Sequence, residues 1–322
     1  MGRYFAHRII QQIPILILIS IMGFALLKSM PGDPLDQMLE NNPDFTYEDY
    51  LRLRSIYGLD DPFHIAYFKW ASQIVQGNFG YSRQYKIPVW NLVGPRLQNT
   101  LTMQVIALVV ALGLAMALGI ISAVKQYSWI DYTGMAITFI GSSLPNFWLG
   151  LMLIILFSVN LHWLPPGGIV SSDVAPGFWP HLADRAKYLV MPVTISAFEH
   201  MTSWARYTRN SLLDVLQLDY LRTARAKGLG EQAVIIKHAL KNSLLPVVTV
   251  VGSTFSLFFS GTVIIETVFS YPGMGKLMYD SVMGNDYVVS MSILMLLATL
   301  TLWGNLLADM TYGWLDPRIR FD

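Results

Sequence analysis

The stretch "SYPGMGKLMYD" ends a glycine-containing turn on Gly275-Lys276, the one place where this 322-residue chain resembles a phosphate-binding loop. Such a loop needs a glycine five positions before its last one and a Ser or Thr after the lysine. Backbone N–H groups then wrap the phosphates, and a hydroxyl reaches the magnesium ion. Those two places hold Ser270 and Leu277, so no nucleotide is expected there. The six histidines, at positions 7, 64, 162, 181, 200 and 238, lack metal-ligand spacing, and no nucleophile stands beside a base. The chain has no cysteine, which excludes disulfides, thiolate metal sites and cysteine nucleophiles. No catalytic residue, cofactor or metal is assigned.

What remains is a set of ionisable and helix-breaking residues within apolar sequence. Glu199, His200, Glu266 and Asp309 all fall inside or at the end of long apolar runs. An ionisable group costs so much in a bilayer that it is a functional candidate by default. Glu199 lies deepest, while Glu266 and Asp309 stand near run ends, where they can reach the interface. Pairing with a neighbouring helix and contact with a transported molecule both remain open for Glu199. Gly141, Pro145 and Asn146 in "GSSLPNFWLG", with Pro192 and Pro246 beyond, interrupt these runs. Interrupted membrane helices occur where neighbours or a wet cavity satisfy the freed backbone groups, and also in static bundles. The candidate pathway residues are therefore Glu199, His200, Pro145, Asn146 and Glu266.

The elements that must position them are membrane helices. The chain is 53% apolar and 13% charged, with a formal net charge of +1. An ordinary soluble domain carries about 25% charge, and a balance so near zero gives no reason to expect nucleic acid. Six windows reach the roughly 20 residues that cross a ~30 Å hydrocarbon core. They are Ile9–Met30, Thr100–Val124, Tyr132–Val159, Tyr188–Ala205, Ser243–Ile265 and Tyr287–Ala308. The fold expected is an all-α membrane protein of six transmembrane helices. The first window is longer than the apolar stretch of a signal peptide, and "LLKSMPGD" offers no cleavage site, so it reads as a retained anchor. The fourth is the weakest, because Glu199 and His200 interrupt it.

Lysine and arginine in short loops set orientation. With the N-terminus inside, the cytoplasmic side holds twelve of them, against three on the short outer loops (Arg185, Lys187 and Lys276). Both termini are expected in the cytoplasm of a multi-pass protein. The chain then divides into residues 1–30 (N-terminus and first helix), 31–97 (an extracytoplasmic helical segment) and 98–322 (the core, with a cytoplasmic loop at 206–243). The outer segment is too long to be a mere connection. Asp61-Pro62 fits a helix start, and two or three small helices are expected there as a cap outside the membrane. Ala111, Ala115, Gly119 and Ala123 form a small-residue stripe on the second span, which suits close helix packing within the chain.

One cytoplasmic stretch, "DYLRTARAKGLGEQAVIIKHALKNSLLP" (Asp219 to Pro246), is charged and helix-prone in an otherwise oily chain. Asp219 is placed to cap a helix start and Gly228 to end it with positive φ. Tyr220, Leu221 and Ala224 would form one face, with Arg222 and Arg225 on the solvated one. A solvated linker helix that touches nothing is the plain alternative.

This stretch resembles the cytoplasmic loop between the fourth and fifth spans of ABC-importer permeases, which carries an E-A-A-x-x-x-G pattern followed by Leu-Pro. Gly228 and Ala224 match that pattern, whereas Arg222 and Thr223 replace its first two positions. The distance to Leu245-Pro246 is also longer than in sugar or amino-acid permeases. Both departures resemble the dipeptide/oligopeptide branch. So do "YGLDDPF", "GNFGYS", "PVWNLV" before "NTLTM", "LPNFWLG", "WLPPGG", "ETVFSYPGMGKLMYDSV" and the ending "DPRIR".

The resemblance spans nearly the whole chain and implies a B-type permease subunit in a bacterial or archaeal cytoplasmic (inner) membrane. It implies pairing with a second homologous permease as a heterodimer, two cytosolic ATPases that bind the ATP and Mg, and an extracytoplasmic substrate-binding protein. Asp219, Tyr220, Leu221, Arg222, Thr223, Ala224, Arg225, Lys227 and Gly228 would be the coupling helix seated in an ATPase groove. Such a subunit is not an enzyme; it forms the pathway for di- or oligopeptides. The same machinery carrying nickel, glutathione, an opine or an oligosaccharide is the alternative. A proton-coupled secondary transporter using Glu199 and Asp309 is a further one, although the internal repeats expected of that class are not visible.

Overall fold

The protein is described by a computed structural model at residues 2–29, 46–56, 60–254 and 262–315. Among these residues it is helical, with no strand. Helices α1 (Gly2–Ser29), α2 (Tyr47–Ile56) and α3 (Phe63–Val75) come first. Then follow α4 (Val89–Val124), α5 (Trp129–Ser143), α6 (Asn146–Leu153, continued by a wide π-type stretch Ile154–Asn160) and α7 (Phe178–Leu216). Short α8 (Asp219–Ala226) precedes α9, which is built of Glu231–Ala233, a π-type stretch Val234–Ala239 and Leu240–Thr254. Last come α10 (Thr262–Val268), α11 (Met274–Met283) and α12 (Tyr287–Leu315).

Among the described residues, three helices are long and apolar enough to cross a membrane: Arg8–Leu26 within α1, α4, and Tyr287–Leu306 within α12. Up to five spans are reached if each of two bent pairs counts as one. The Tyr132–Val159 window, expected as one span, is two helices, α5 and α6–Asn160, meeting at 106°. Proline explains the break. Leu144 is extended (φ −93°, ψ 134°), the conformation that the ring of a following proline favours. The Ser243–Ile265 window is also divided. α9 bends by 44° between Glu231–Leu244 and Pro246–Gly252, and residues 255–261 of that window lie outside the described residues.

The chain folds as two units. One comprises residues 1–97 and 277–300. Within it α1 passes close to α12 at Gly23, where a Cβ would stand 2.6 Å from Leu294 Cδ2. Asp286 accepts from Ser82 Oγ at 2.5 Å, from the Gln84 N–H at 3.1 Å and from the Val289 N–H at 3.4 Å. It thereby pins the "GNFGYS" loop and caps α12.

The other unit comprises residues 98–276 and 301–322. Here α7 is the central helix, packed against α5, α6 and α9. The small-residue stripe on α4 is buried as expected, at Ala111, Ala115 and Ala123. A Cβ on Gly119 would come within 2.7 Å of the Ala205 carbonyl oxygen of α7. Small residues let these two helices approach where lipid supplies no drive of its own.

Candidate coupling and pathway sites

The loop expected at 206–243 is almost wholly helical: the end of α7, then α8, then the first half of α9. The start of α8 differs from expectation. Leu218 is the N-cap residue, in extended conformation, and no side chain caps the helix. Asp219 is instead the first helical residue, where its charge complements the helix dipole and meets Arg222 Nη1 at 3.5 Å. The end of α8 is as read. Gly228 has φ +78°; its N–H donates to Arg225 O at 2.9 Å, and the Leu229 N–H donates to Ala224 O at 3.4 Å. This pair satisfies the last helix carbonyls, and it needs a left-handed residue that only glycine supplies cheaply.

The apolar face expected of α8 is turned into the chain itself. Leu221 is 0% exposed and Ala224 only 8%, and both join Ala123, Leu212, Val234 and Ala239 in one buried cluster. Tyr220 also turns toward the chain: its hydroxyl donates to His238 O at 3.2 Å and accepts from Asn242 Nδ2 at 3.0 Å. The small Ala224 thus permits close approach to the protein's own core. The surface left facing outward is Asp219, Arg222, Thr223, Arg225, Lys227 and Gly228, flanked by exposed Leu218 and Leu229. Arg225 is held by Glu231, with Nη2–Oε1 at 2.8 Å and Nε–Oε2 at 3.0 Å, and this pair spans the Gly228 turn.

A second constellation on this stretch escaped the sequence reading. Arg209 of α7 binds Asp131 in a two-pronged ion pair, Nε–Oδ1 and Nη2–Oδ2 both at 2.7 Å. Asp131 is 1% exposed and also accepts the Tyr127 N–H at 3.1 Å. Two parallel N–H···O bonds fix orientation as well as distance, locking the start of α5 to α7. A signal was present: Ser128 and Asp131 have the spacing of a helix-capping pair, and the Ser128 side chain does accept from the Asp131 N–H.

Among the pathway candidates, two are brought together. Asn146, the first residue after the Pro145 break, donates from Nδ2 to Glu199 Oε2 at 2.8 Å, so the deepest carboxylate is held at the bend between α5 and α6. His200 stacks on the fully buried Trp204, ring centroids 5.3 Å apart and 17° from parallel. The side chain of Asp309 lies outside the described residues.

Glu266 does not reach an interface. It is 0% exposed and accepts from Thr100 Oγ1 at 2.6 Å and from the Lys276 N–H at 2.9 Å. Thr100 Oγ1 in turn accepts the Met274 N–H at 2.8 Å. The carboxylate therefore caps α11 and ties it to α4 and α10, a structural position with no open side for a passing molecule. The glycines of "PGMGK" have a use here that is not phosphate binding. A Cβ on Gly273 would run into the Glu266 carboxylate.

Comparison with known proteins bears on the whole length. A family model described as "Binding-protein-dependent transport system inner membrane component" matches residues 115–321, and its N-terminal counterpart matches residues 1–104. The chain is 41% identical over 322 residues to the oligopeptide transport system permease protein AppB of Bacillus subtilis (strain 168), covering 100% of both. It is 35% identical over 337 residues to the dipeptide transport system permease protein DppB of Escherichia coli (strain K12), covering 99% of each. It is also 35% identical over 321 residues to the glutathione transport system permease protein GsiC of Salmonella paratyphi A, covering 100% of each. Among solved structures, an inward-facing form of the MetNI methionine ABC transporter matches with TM-score 0.56 at 17% identity. That match covers 70% of this chain and 96% of that one, a likeness of fold alone.

Proposed function

The chain belongs to the family of binding-protein-dependent transport system inner membrane components, and from that membership we propose that it is a peptide-carrying permease subunit of an ATP-driven importer. The observation that carries the reading is full-length identity of 41% to an oligopeptide permease, with a dipeptide permease at 35%. The glutathione relative favours a second cargo, itself a short peptide. The protein would supply pathway, gate and coupling surface, leaving ATP hydrolysis to two cytosolic partners.

In this reading six spans cross the cytoplasmic membrane with both termini inside. α7 would complete the set, its carboxylate Glu199 sheltered by Asn146. A second, homologous permease would form the other wall, and an extracytoplasmic binding protein would deliver the cargo. The coupling surface is the outward face of α8. Arg222, Thr223 and Lys227 would seat in an ATPase groove, while Leu221 and Ala224 carry the push inward.

The test is reconstitution. Expressed with a partner permease and two ATPases in sealed vesicles, the complex should take up labelled di- or tripeptides when ATP and loaded binding protein are both present. The chain alone should bind no nucleotide. ATP bound by the isolated chain, or peptide uptake driven by a proton gradient without ATPases, would overturn the reading.

A further inference from the structure

The segment between the first two spans contains a helix whose surroundings do not fit a cap standing clear of the membrane. Phe63, Tyr67 and Trp70 lie on one face of α3, at the three- and four-residue spacing of helix neighbours. All three rings meet Phe24 of α1, with centroids 5.6, 5.7 and 5.6 Å away. One turn deeper, the Tyr67 hydroxyl and Ser20 Oγ are hydrogen-bonded at 2.7 Å.

Both contact residues belong to the apolar window Arg8–Leu26 of α1. At ~1.5 Å per residue, Phe24 and Ser20 stand about 3 Å and about 9 Å short of Leu26 along the helix axis. α3 therefore crosses α1 at a depth that belongs to the membrane. That depth matches the roughly 5–10 Å to which amphipathic helices sink at the boundary between headgroups and acyl chains.

The rest of α3 is built for the same place. On the side of α3 turned away from α1 runs a second apolar strip of Ile65, Phe68 and Val75, which are 40%, 69% and 88% exposed. The Ser72 hydroxyl within that strip donates to the Lys69 carbonyl of its own helix, so it asks nothing of its surroundings. His64 borders the strip at the helix start.

Charges cluster at the end of α3 nearer the α1 terminus. Lys28 Nζ donates to Asp61 O at 2.7 Å, and Lys69 Nζ meets Asp61 Oδ2 at 2.6 Å. Lysines whose stems lie on apolar surface and whose ammonium groups reach the headgroup level are the usual flank of a membrane-seated element. Tyr67 and Trp70 are the aromatic types that favour this zone.

We infer that α3 is an interfacial helix, with its Ile65–Phe68–Val75 strip seated in lipid of the leaflet that the C-terminal end of α1 enters. Only the naming of that leaflet as the outer one rests on the proposed orientation. The helix anchors the segment between the first two spans flat against the bilayer. A water-soluble partner could not reach the strip at that depth.

The chain has no cysteine, so single labels test this directly. Phe68→Cys, Val75→Cys and Gln73→Cys, the last on the polar side, are made in the full chain and labelled with bimane. Each is reconstituted into phosphatidylethanolamine/phosphatidylglycerol vesicles. At positions 68 and 75, lipid brominated on its acyl chains should remove most of the fluorescence, and aqueous iodide little of it. At position 73 the order should reverse. Iodide quenching at 68 and 75 as strong as at 73 would overturn the inference. So would a strip shielded from iodide yet untouched by brominated lipid, because a protein surface would then cover it.

Discussion

Glu199 and Glu266 are the same residue type in similar apolar runs, yet burial gives them different positions. Glu199 keeps an exposed flank and one amide partner, while Glu266 is enclosed, with one donor, Thr100, far away in sequence and another, the Lys276 N–H, ten residues on. Glu266→Ala would leave the Thr100 hydroxyl and the Lys276 N–H without their acceptor. Each buried group so stranded costs about 1–3 kcal/mol. The expected result is a clear fall in the melting temperature of the detergent-purified chain, with Glu199→Gln changing it far less.

Asp184 offers a test in pH. Its carboxyl is held below the ordinary aspartate value, first by the Ser171 N–H and then by the Ser171 hydroxyl. A lowered value in the folded state means that this tie is fully present above ~3.9, the ordinary value. It is lost as pH falls through the lower folded value. Hydrogen exchange at the Ser171 amide should stay slow from neutral pH into the acid range and quicken only below it; quickening between pH 7 and 5 would contradict the assignment. The sequence marked Glu199 and Glu266 as unusual through their apolar neighbours. It could not separate their roles, because Thr100 and Lys276 reach Glu266 only through the fold. Asp131 and Asp286 went unread for the same reason. Each caps a helix locally, but its long-range partner, Arg209 or Ser82, has no local signature.

At the scale of elements, hydropathy found every long apolar helix and said little about where each bends. The Pro145 break was legible as a breaker, while its 106° angle depends on how α6 packs against α7. For α8 the ends were half legible, since Gly228 was read correctly and Asp219 was not. Its inner face could not be assigned from amphipathicity alone, because an apolar face fits either a partner's groove or the chain's own core.

That distinction sorts a set of variants. Ala224→Glu places a carboxylate in the cluster around Leu212, so it should sharply reduce the amount of folded protein in the membrane. Arg222→Glu, on the outward face, should leave protein levels normal and abolish transport coupled to the ATPases. Gly228→Asp meets nothing within 4 Å, so its cost is the left-handed backbone itself, about 1–2 kcal/mol. It should lower coupling through a distorted α8 while the remaining helices stay intact. Immunoblots of membranes, paired with uptake, separate the three. Normal transport in Arg222→Glu and Gly228→Asp together would remove α8 from the mechanism.

For the molecule as a whole, the number of spans and the sidedness of the loops stand or fall together. Asp173→Cys and Lys227→Cys lie on exposed loops on opposite sides of the proposed topology. An impermeant maleimide applied to intact cells should label position 173 and spare 227 until the membrane is opened. Labelling of both from outside would mean that α7 does not cross. Charge counts supply the proposed orientation because they sum over many residues. The proposed crossing of α7 is less legible, since Glu199 and His200 dilute its apolar signal and their partners, Asn146 and Trp204, come from packing.

For α8 as the proposed coupling surface, the burial of Leu221 and Ala224 beside Leu212 and Ala123 decides how a stroke on it would be felt. A mechanical joint with play in it swallows small strokes before anything beyond it moves. Here the joint is filled with side chains, and close-packed interiors leave almost no free travel. A slight displacement of α8 at Arg222 would thus be passed through Leu221 and Ala224 to Leu212 in α7 and Ala123 in α4, with no dead zone before it arrives. The corollary is a distinct class of fault. Leu221→Ala would restore backlash at that joint while leaving every outward-facing residue of α8 in place. Nucleotide turnover would then run on while the pathway lagged behind it.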